Sequence, residues 1–146
     1  GAIAPPPPWP MLLCRAGPPA ALRWLSAELY RRQDAVPAAR RAAGSVTPPA
    51  VERAVAHDVA LVVTELVDNA VRHGRGARLE LEVVLLRGLL RVVVVSWGEP
   101  FRVPDGLPPP EATSGRGLCV VGAVCRRWGV AHQGGRNEVW AELTVP

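Results

Sequence analysis

The stretch Leu61-Val-Val-Thr-Glu-Leu-Val-Asp-Asn-Ala-Val-Arg-His-Gly74 constrains this chain more than any other. It predicts the end of a long amphipathic helix, because Val55, Val59, Val62, Leu66 and Ala70 recur at the spacings of one buried helix face. Glu65 and Asn69 are four apart and so share a face, one turn above the other. Gly74 fits the position past the helix end, and Arg72 and His73 fall in the last turn, where cations suit the helix dipole. A carboxylate and a carboxamide at this spacing can hold a hydrated Mg²⁺ or orient a water; they can equally be a solvated polar face.

After Gly76 the period changes to two. Leu79, Leu81, Val83 and Leu85 alternate with Arg78, Glu80 and Glu82, the pattern of a half-buried strand. Arg87-Gly88 reads as a hairpin turn, and Leu90–Ser96, apolar on both faces, as a central strand. The glycine- and proline-rich stretch Trp97–Ser114 has the length of a lid or binding loop. Leu118–Arg127 follows as a short helix, with Leu118, Val121 and Val124 as its apolar side. Trp128–His132 and Asn137–Val145 then form a closing hairpin around Gly134-Gly135.

Upstream, residues 1–10 form a proline-rich tail, leaving 11–146 as a single domain, with Met11–Cys14 as a short edge strand. Ala21, Leu22, Trp24, Leu25 and Leu29 predict a helix from Pro18 that fades by Asp34–Pro37. Ala38–Pro49 reads as loop or poor helix, and Thr47 as the cap of the central helix. The expected fold is therefore α+β, a two-layer sandwich of a mixed or antiparallel sheet with helices on one face.

Composition narrows the function classes. All 17 basic residues are arginine and the net charge is +4, but the arginines are scattered, so direct nucleic-acid binding is not expected. The usage tracks GC-rich codons. Cys14, Cys119 and Cys125 have neither CxxC spacing nor a histidine partner, which argues for reduced thiols rather than disulfides or zinc. No run reaches eighteen apolar residues, so no membrane span is expected and the location reads as cytoplasmic. Trp24, Trp128 and Trp140 read as core or interface anchors.

Gly115 and Gly117, flanking Arg116 at the mouth of a helix, make a ready anion site of free N–H groups and a positive dipole end. Taken together, Glu65-xxx-Asn69-Ala, the hairpin, the loop, Gly115-Arg-Gly-Leu118 and Val139-Trp-Ala-Glu-Leu143 resemble the GHKL (histidine kinase-like) ATPase domain. The form resembled is the RsbW/SpoIIAB-type anti-sigma factor serine kinase, as found in actinobacteria. The resemblance spans residues 12 to 145.

It implies a Bergerat-type fold with an ATP pocket between helices and sheet. Asn69 would ligate the Mg²⁺ bridging the ATP phosphates, and Glu65 would act as the catalytic base toward a hydroxyl or water. Arg72 and His73 would line the pocket, while Gly115, Arg116, Gly117 and Leu118 would wrap the phosphates. Residues 98–114, starting at Gly98, would form the lid. One departure stands out: Trp97 occupies the place of the family's adenine-binding aspartate, and an indole there could fill the adenine slot. The implied partners are a sigma factor and an anti-anti-sigma (STAS-type) protein, with homodimerisation typical of the family. Three readings follow: a Mg-ATP-dependent regulatory kinase, a degenerate GHKL-fold interaction module with weak or no ATP binding, and, more distantly, a nucleic-acid-binding protein.

Overall fold

The computed structural model describes residues 2–3, 21–99 and 116–146, with side chains over 21–99 and 120–146. Its elements are β1 (Ala2–Ile3), β2 (Arg23–Tyr30), α1 (Ala35–Val46), α2 (Pro49–His73), β3 (Arg75–Leu86), β4 (Leu89–Trp97), α3 (Arg116–Val124), β5 (Arg127–Gln133) and β6 (Arg136–Thr144). The strands form one sheet in the order β1-β5-β6-β4-β3-β2. Every pairing is antiparallel except β1 with β5, so the sheet is mixed. The helices pack on one face, giving the expected two-layer α+β sandwich.

Alternation writes that face. Leu79, Leu81, Val83 and Leu85 of β3, Val92 and Val94 of β4, and Val139, Ala141 and Leu143 of β6 join α2's Val59, Val62, Val63, Leu66, Val67 and Ala70 in one core. Burying side chains of this kind stabilises by about 1.5–3 kcal/mol each before conformational entropy is counted. β4 is central, as its double-sided valine run requires.

Three upstream expectations are corrected. The residues from Arg23 to Tyr30 form an edge strand, not a helix: Leu25 and Leu29 face the core while Trp24 lies on the other face, an alternation that the three-four spacing concealed. The stretch 38–49, read as loop or poor helix, lies mostly in a regular helix, α1, because Pro37 falls in its first turn, where proline costs no hydrogen bond. Thr47 caps the end of α1 rather than the start of α2, its hydroxyl donating to the Ala43 carbonyl at 2.8 Å, and Pro48 takes the α2 N-cap. The Met11–Cys14 strand lies outside the described residues.

The C-terminus of α2 is pinned to the sheet. Arg31 reaches from the end of β2 to donate to the carbonyls of Val71 (3.0 Å) and Gly76 (2.6 Å), satisfying an oxygen the helix end leaves unpaired. A β-carbon on Gly74 would stand 2.5 Å from the Ala70 carbonyl and 3.4 Å from the Ser96 β-carbon, so only glycine lets helix and strand meet here.

The second face of the sheet carries Val84, Val93, Val95 and Trp140, all fully or nearly fully buried, with Trp24, Leu86 and Trp97 beside them. Polar groups are buried there too. Arg91 and Arg127 both donate to Glu142, and both guanidiniums lie over the Trp140 ring, at 5.1 and 5.7 Å from its centroid. Burial pushes the Glu142 carboxyl up, but the hydrogen bonds from Arg127 and Arg91 outweigh it and hold the group below the ordinary carboxylate range. Glu82 is the opposite case: its carboxylate is buried, and among the described residues no donor meets it in good hydrogen-bond geometry, the Trp24 indole being the nearest approach to one. Burial pushes its pKa up to about 7, Glu138 adds to the rise, and Trp24 and Arg91 offset it only in part.

Three outcomes follow from this packing. Gly74→Ala should cost about 1–3 kcal/mol in urea unfolding, because the new methyl meets backbone rather than a movable side chain. Glu142→Gln should cost about 3–5 kcal/mol by removing the buried carboxylate that Arg91 and Arg127 share. The Glu142 contribution is present above the unfolded pKa and disappears as pH falls through the lower folded one, so the variant and the parent should converge at acid pH. For Glu82 the sign reverses: folding binds its proton more tightly, so stability falls as pH rises from 4.5 toward 7. Glu82→Gln should therefore stabilise the chain at pH 8, by on the order of 3 kcal/mol, with little effect at pH 4, as read from unfolding midpoints.

Candidate functional site

The long helix ends over the open end of the sheet, and the hollow between them gathers side chains from three elements. Leu66, Asn69, Ala70 and His73 come from α2, Val94 and Ser96 from β4, and Asn137 and Val139 from β6, with Glu99 at the rim. Ser96 and Asn137 are cross-strand partners facing the helices, one at the end of β4 and the other at the beginning of β6. Their position follows from parity: Val92 and Val94 turn toward α2, and so must Ser96.

The Asn137 carboxamide is held at both ends. Its Nδ2 donates to the Glu99 carbonyl at 2.9 Å, which leaves Oδ1 to accept from Nδ1–H of His132 at 2.8 Å. The Gly98 amide donates to the Gly135 carbonyl at 2.9 Å, tying the exit of β4 to the β5–β6 turn. Gly98 has a φ of 142°, a conformation that side chains avoid, and a β-carbon there would lie 3.4 Å from Arg75. Arg75 in turn pairs with Glu99 at 3.5 Å on the surface. The enclosed space in the hollow is about 10 Å³, room for one water.

The sequence-predicted residues divide. Asn69 and His73 line the hollow. Glu65, one turn earlier on α2, is half-buried and not part of its lining; burial first and Asp68 second raise its carboxyl above the ordinary value, while Arg72 opposes them. Arg72 pairs along the helix with Asp68 at 3.1 Å, four residues back, and both are solvent-accessible. Gly98 sits at the rim rather than inside. Arg116, Gly117 and Leu118 open α3, which packs on α2, but their side chains and Gly115 lie outside the described residues. So does residues 100–114 of the expected lid.

Trp97 is a correction. Its side chain lies on the second face of the sheet with Val84, Val93, Val95 and Trp140, so it does not fill the hollow. One residue of strand is half a pleat, and it turns the indole away from α2 while bringing Ser96 toward it. Ser96, Asn137 and His132 are the residues that sequence reasoning missed. The signal was present in the alternation, a single serine closing a valine run, but the register that sets it against Asn137 is a property of the sheet.

Elsewhere, a cavity of about 220 Å³ lies between α1 and α2, lined by Arg40, Ala43, Thr47, Glu52 and Val59 among others, and it holds none of the predicted residues. Cys125 is buried and its thiol is pushed up to about 12, which fits the packing role and excludes a reactive thiolate. Among the described residues, no helix is long and apolar enough to cross a membrane, and no cluster of His, Cys, Asp and Glu is placed to hold a metal.

Comparison with known proteins agrees with this architecture. The crystal structure of the RsbU and RsbW domains of Rv1364c from Mycobacterium tuberculosis superposes with a TM-score of 0.61 at 19% identity. The match covers 90% of this chain and 34% of that one, so the chain spans about a third of the length of its structural relative. No curated protein matches the chain. The histidine kinase-like ATPase domain matches residues 29–143, from the last residues of β2 through β6 and across the whole hollow described above. The chain therefore belongs to the histidine kinase-like ATPase domain family.

Proposed function

We propose that this chain is a regulatory Mg-ATP-binding domain that controls transcription through protein partners, a sigma factor and an anti-anti-sigma protein of the STAS type. The observation that carries the reading is Asn69, whose position on α2 lines the hollow between helix and sheet in a chain of this ATPase family. The RsbW domain in the structural relative supports the choice of partners.

The chemistry fits the residues present. A carboxamide oxygen is a hard donor, suited to a Mg²⁺ that keeps several waters and takes its other ligands from phosphates. When bound, the metal neutralises phosphate charge, which together with positioning is most of what phosphoryl transfer requires. Glu65, a turn from Asn69 and with its proton affinity raised, is suited to accept a proton from a hydroxyl or water. Ser96 and Asn137 present a hydroxyl and an oriented carboxamide to the same hollow.

A second reading has one specific observation behind it. The described hollow holds about one water, so a nucleotide enters only if its walls move apart. A chain in which those walls never part would be an interaction module without ATP.

Calorimetric titration of the full chain with ATP, with and without Mg²⁺, separates the two. Mg²⁺-dependent binding that falls at least about tenfold in Asn69→Ala, a loss of about 1.4 kcal/mol, supports the first reading. In Glu65→Gln, binding should persist while any phosphate transfer to a STAS-type protein is lost. A folded parent chain that shows no ATP heat at all leaves the second reading standing.

A further inference from the structure

α1 and α2 meet along a seam that neither helix closes. Ala43 and Thr47 on one side and Val59 and Val63 on the other form its buried floor, and about 220 Å³ stays open above them. The Thr47 hydroxyl already donates to the Ala43 carbonyl, so the floor meets a guest as an apolar surface. The rim is low in the middle, where Gly44 and Ala56 stand exposed on the two helices. Nothing within the chain asks for glycine at 44: it lies inside α1, its φ is not positive, and a β-carbon on it would meet nothing within 4 Å. Glycine inside a helix is destabilising relative to alanine, and its effect here is to leave the mouth of the cleft open.

The rim also carries two opposite charges, Arg40 from α1 and Glu52 from α2. Both are exposed, and neither makes a hydrogen bond or an ion pair among the described residues. Their placement explains why they do not meet. The connection at 47–48 folds α2 back along α1. At about 1.5 Å of rise per residue, Glu52 stands about 4–5 Å from that turn and Arg40 about 9 Å. Helical side chains lean toward the N-terminus of their own helix, so Glu52 leans toward the turn and Arg40 away from it. The cleft thus has an anionic end, a cationic end and an apolar floor between them.

We propose that this cleft is a binding site for a short apolar peptide with free termini, of dipeptide size, its ammonium at Glu52 and its carboxylate at Arg40. The dimensions select this class. A space of 220 Å³ equals about seven waters at the volume each has in the liquid, and it lies below the range of about 300–1,000 Å³ that larger organic ligands occupy. A single amino acid carries both charges on one carbon and cannot reach both ends of the cleft, whereas an extended dipeptide separates its termini by about 7 Å. The Arg40 guanidinium can receive a carboxylate through two parallel hydrogen bonds. The extended backbone turns one of the two side chains down onto Ala43, Val59 and Val63. Because both charges are exposed, each ion pair contributes only a factor of about two to five in affinity, and contact with the floor carries the rest.

Titration of the isotopically labelled full chain with the dipeptide Leu-Val, followed by NMR without nucleotide, tests this independently of the ATP reading. Saturable shifts of amide resonances are expected within residues 40–63. Affinity should fall about two- to fivefold in Arg40→Gln, and to the same extent for Leu-Val amide, which has lost the carboxylate. The amide form should bind the parent and Arg40→Gln equally, and N-acetyl-Leu-Val should likewise bind the parent and Glu52→Gln equally. Gly44→Leu fills the mouth with a good helix former and should abolish the shifts while its thermal unfolding midpoint stays at or above the parent's. Ala56→Leu blocks the same opening from α2 and should do the same. No saturable shift within 40–63, equal binding of Leu-Val and both capped forms, or undiminished binding to the two leucine variants overturns the proposal.

Discussion

β4 buries side chains on both of its faces, and the rest of the molecule is arranged around that fact. A strand with valine at 92, 93, 94 and 95 has no face to give to water, so it must sit inside the sheet with apolar neighbours on each side. Its even residues meet α2 and its odd ones meet Trp140 and its neighbours. The parity of this one strand decides which residue at its end reaches the hollow, and the answer is Ser96. A shift of one residue would exchange serine for tryptophan and rebuild the site.

The hollow depends on this strand in a second way. Gly74 lets the end of α2 come against Ser96, Arg31 holds the last-turn carbonyl of Val71, and the Gly98–Gly135 hydrogen bond ties the exit of β4 to the neighbouring turn. These three contacts fix the end of the helix that carries Asn69 and His73. The helix therefore presents its carboxamide from a rigid end, which is the condition for an oxygen donor to meet a small, exacting cation.

Much of this was legible in the chain. The stripe on α2, the alternation of β3 and the hairpin around Gly134-Gly135 are local patterns with one reading each. β2 was not legible, because an edge strand rich in leucine, alanine and glutamate is built from helix formers and is held extended only by its eight-residue pairing with β3. α1 was hidden by Pro37, a residue that ends a helix when it falls inside and begins one when it falls in the first turn. In the site, Asn69 could be found by spacing along one helix. Ser96, Asn137 and His132 belong to three strands, and their meeting is set by sheet register. The side on which Trp97 lies could not be read from the chain for the same reason: register turns its indole onto the second face of the sheet.

The cleft between α1 and α2 bears on how this molecule is held together. Its walls are mainly alanine, valine and glycine, side chains too short to close the seam, and a space of about 220 Å³ remains between the two helices. Short side chains give up dispersion contacts that longer ones would make across such a seam. The helical layer is thus more loosely fitted along this line than the interlocked strands are, and the looser fit lies against the very helix whose far end carries Asn69.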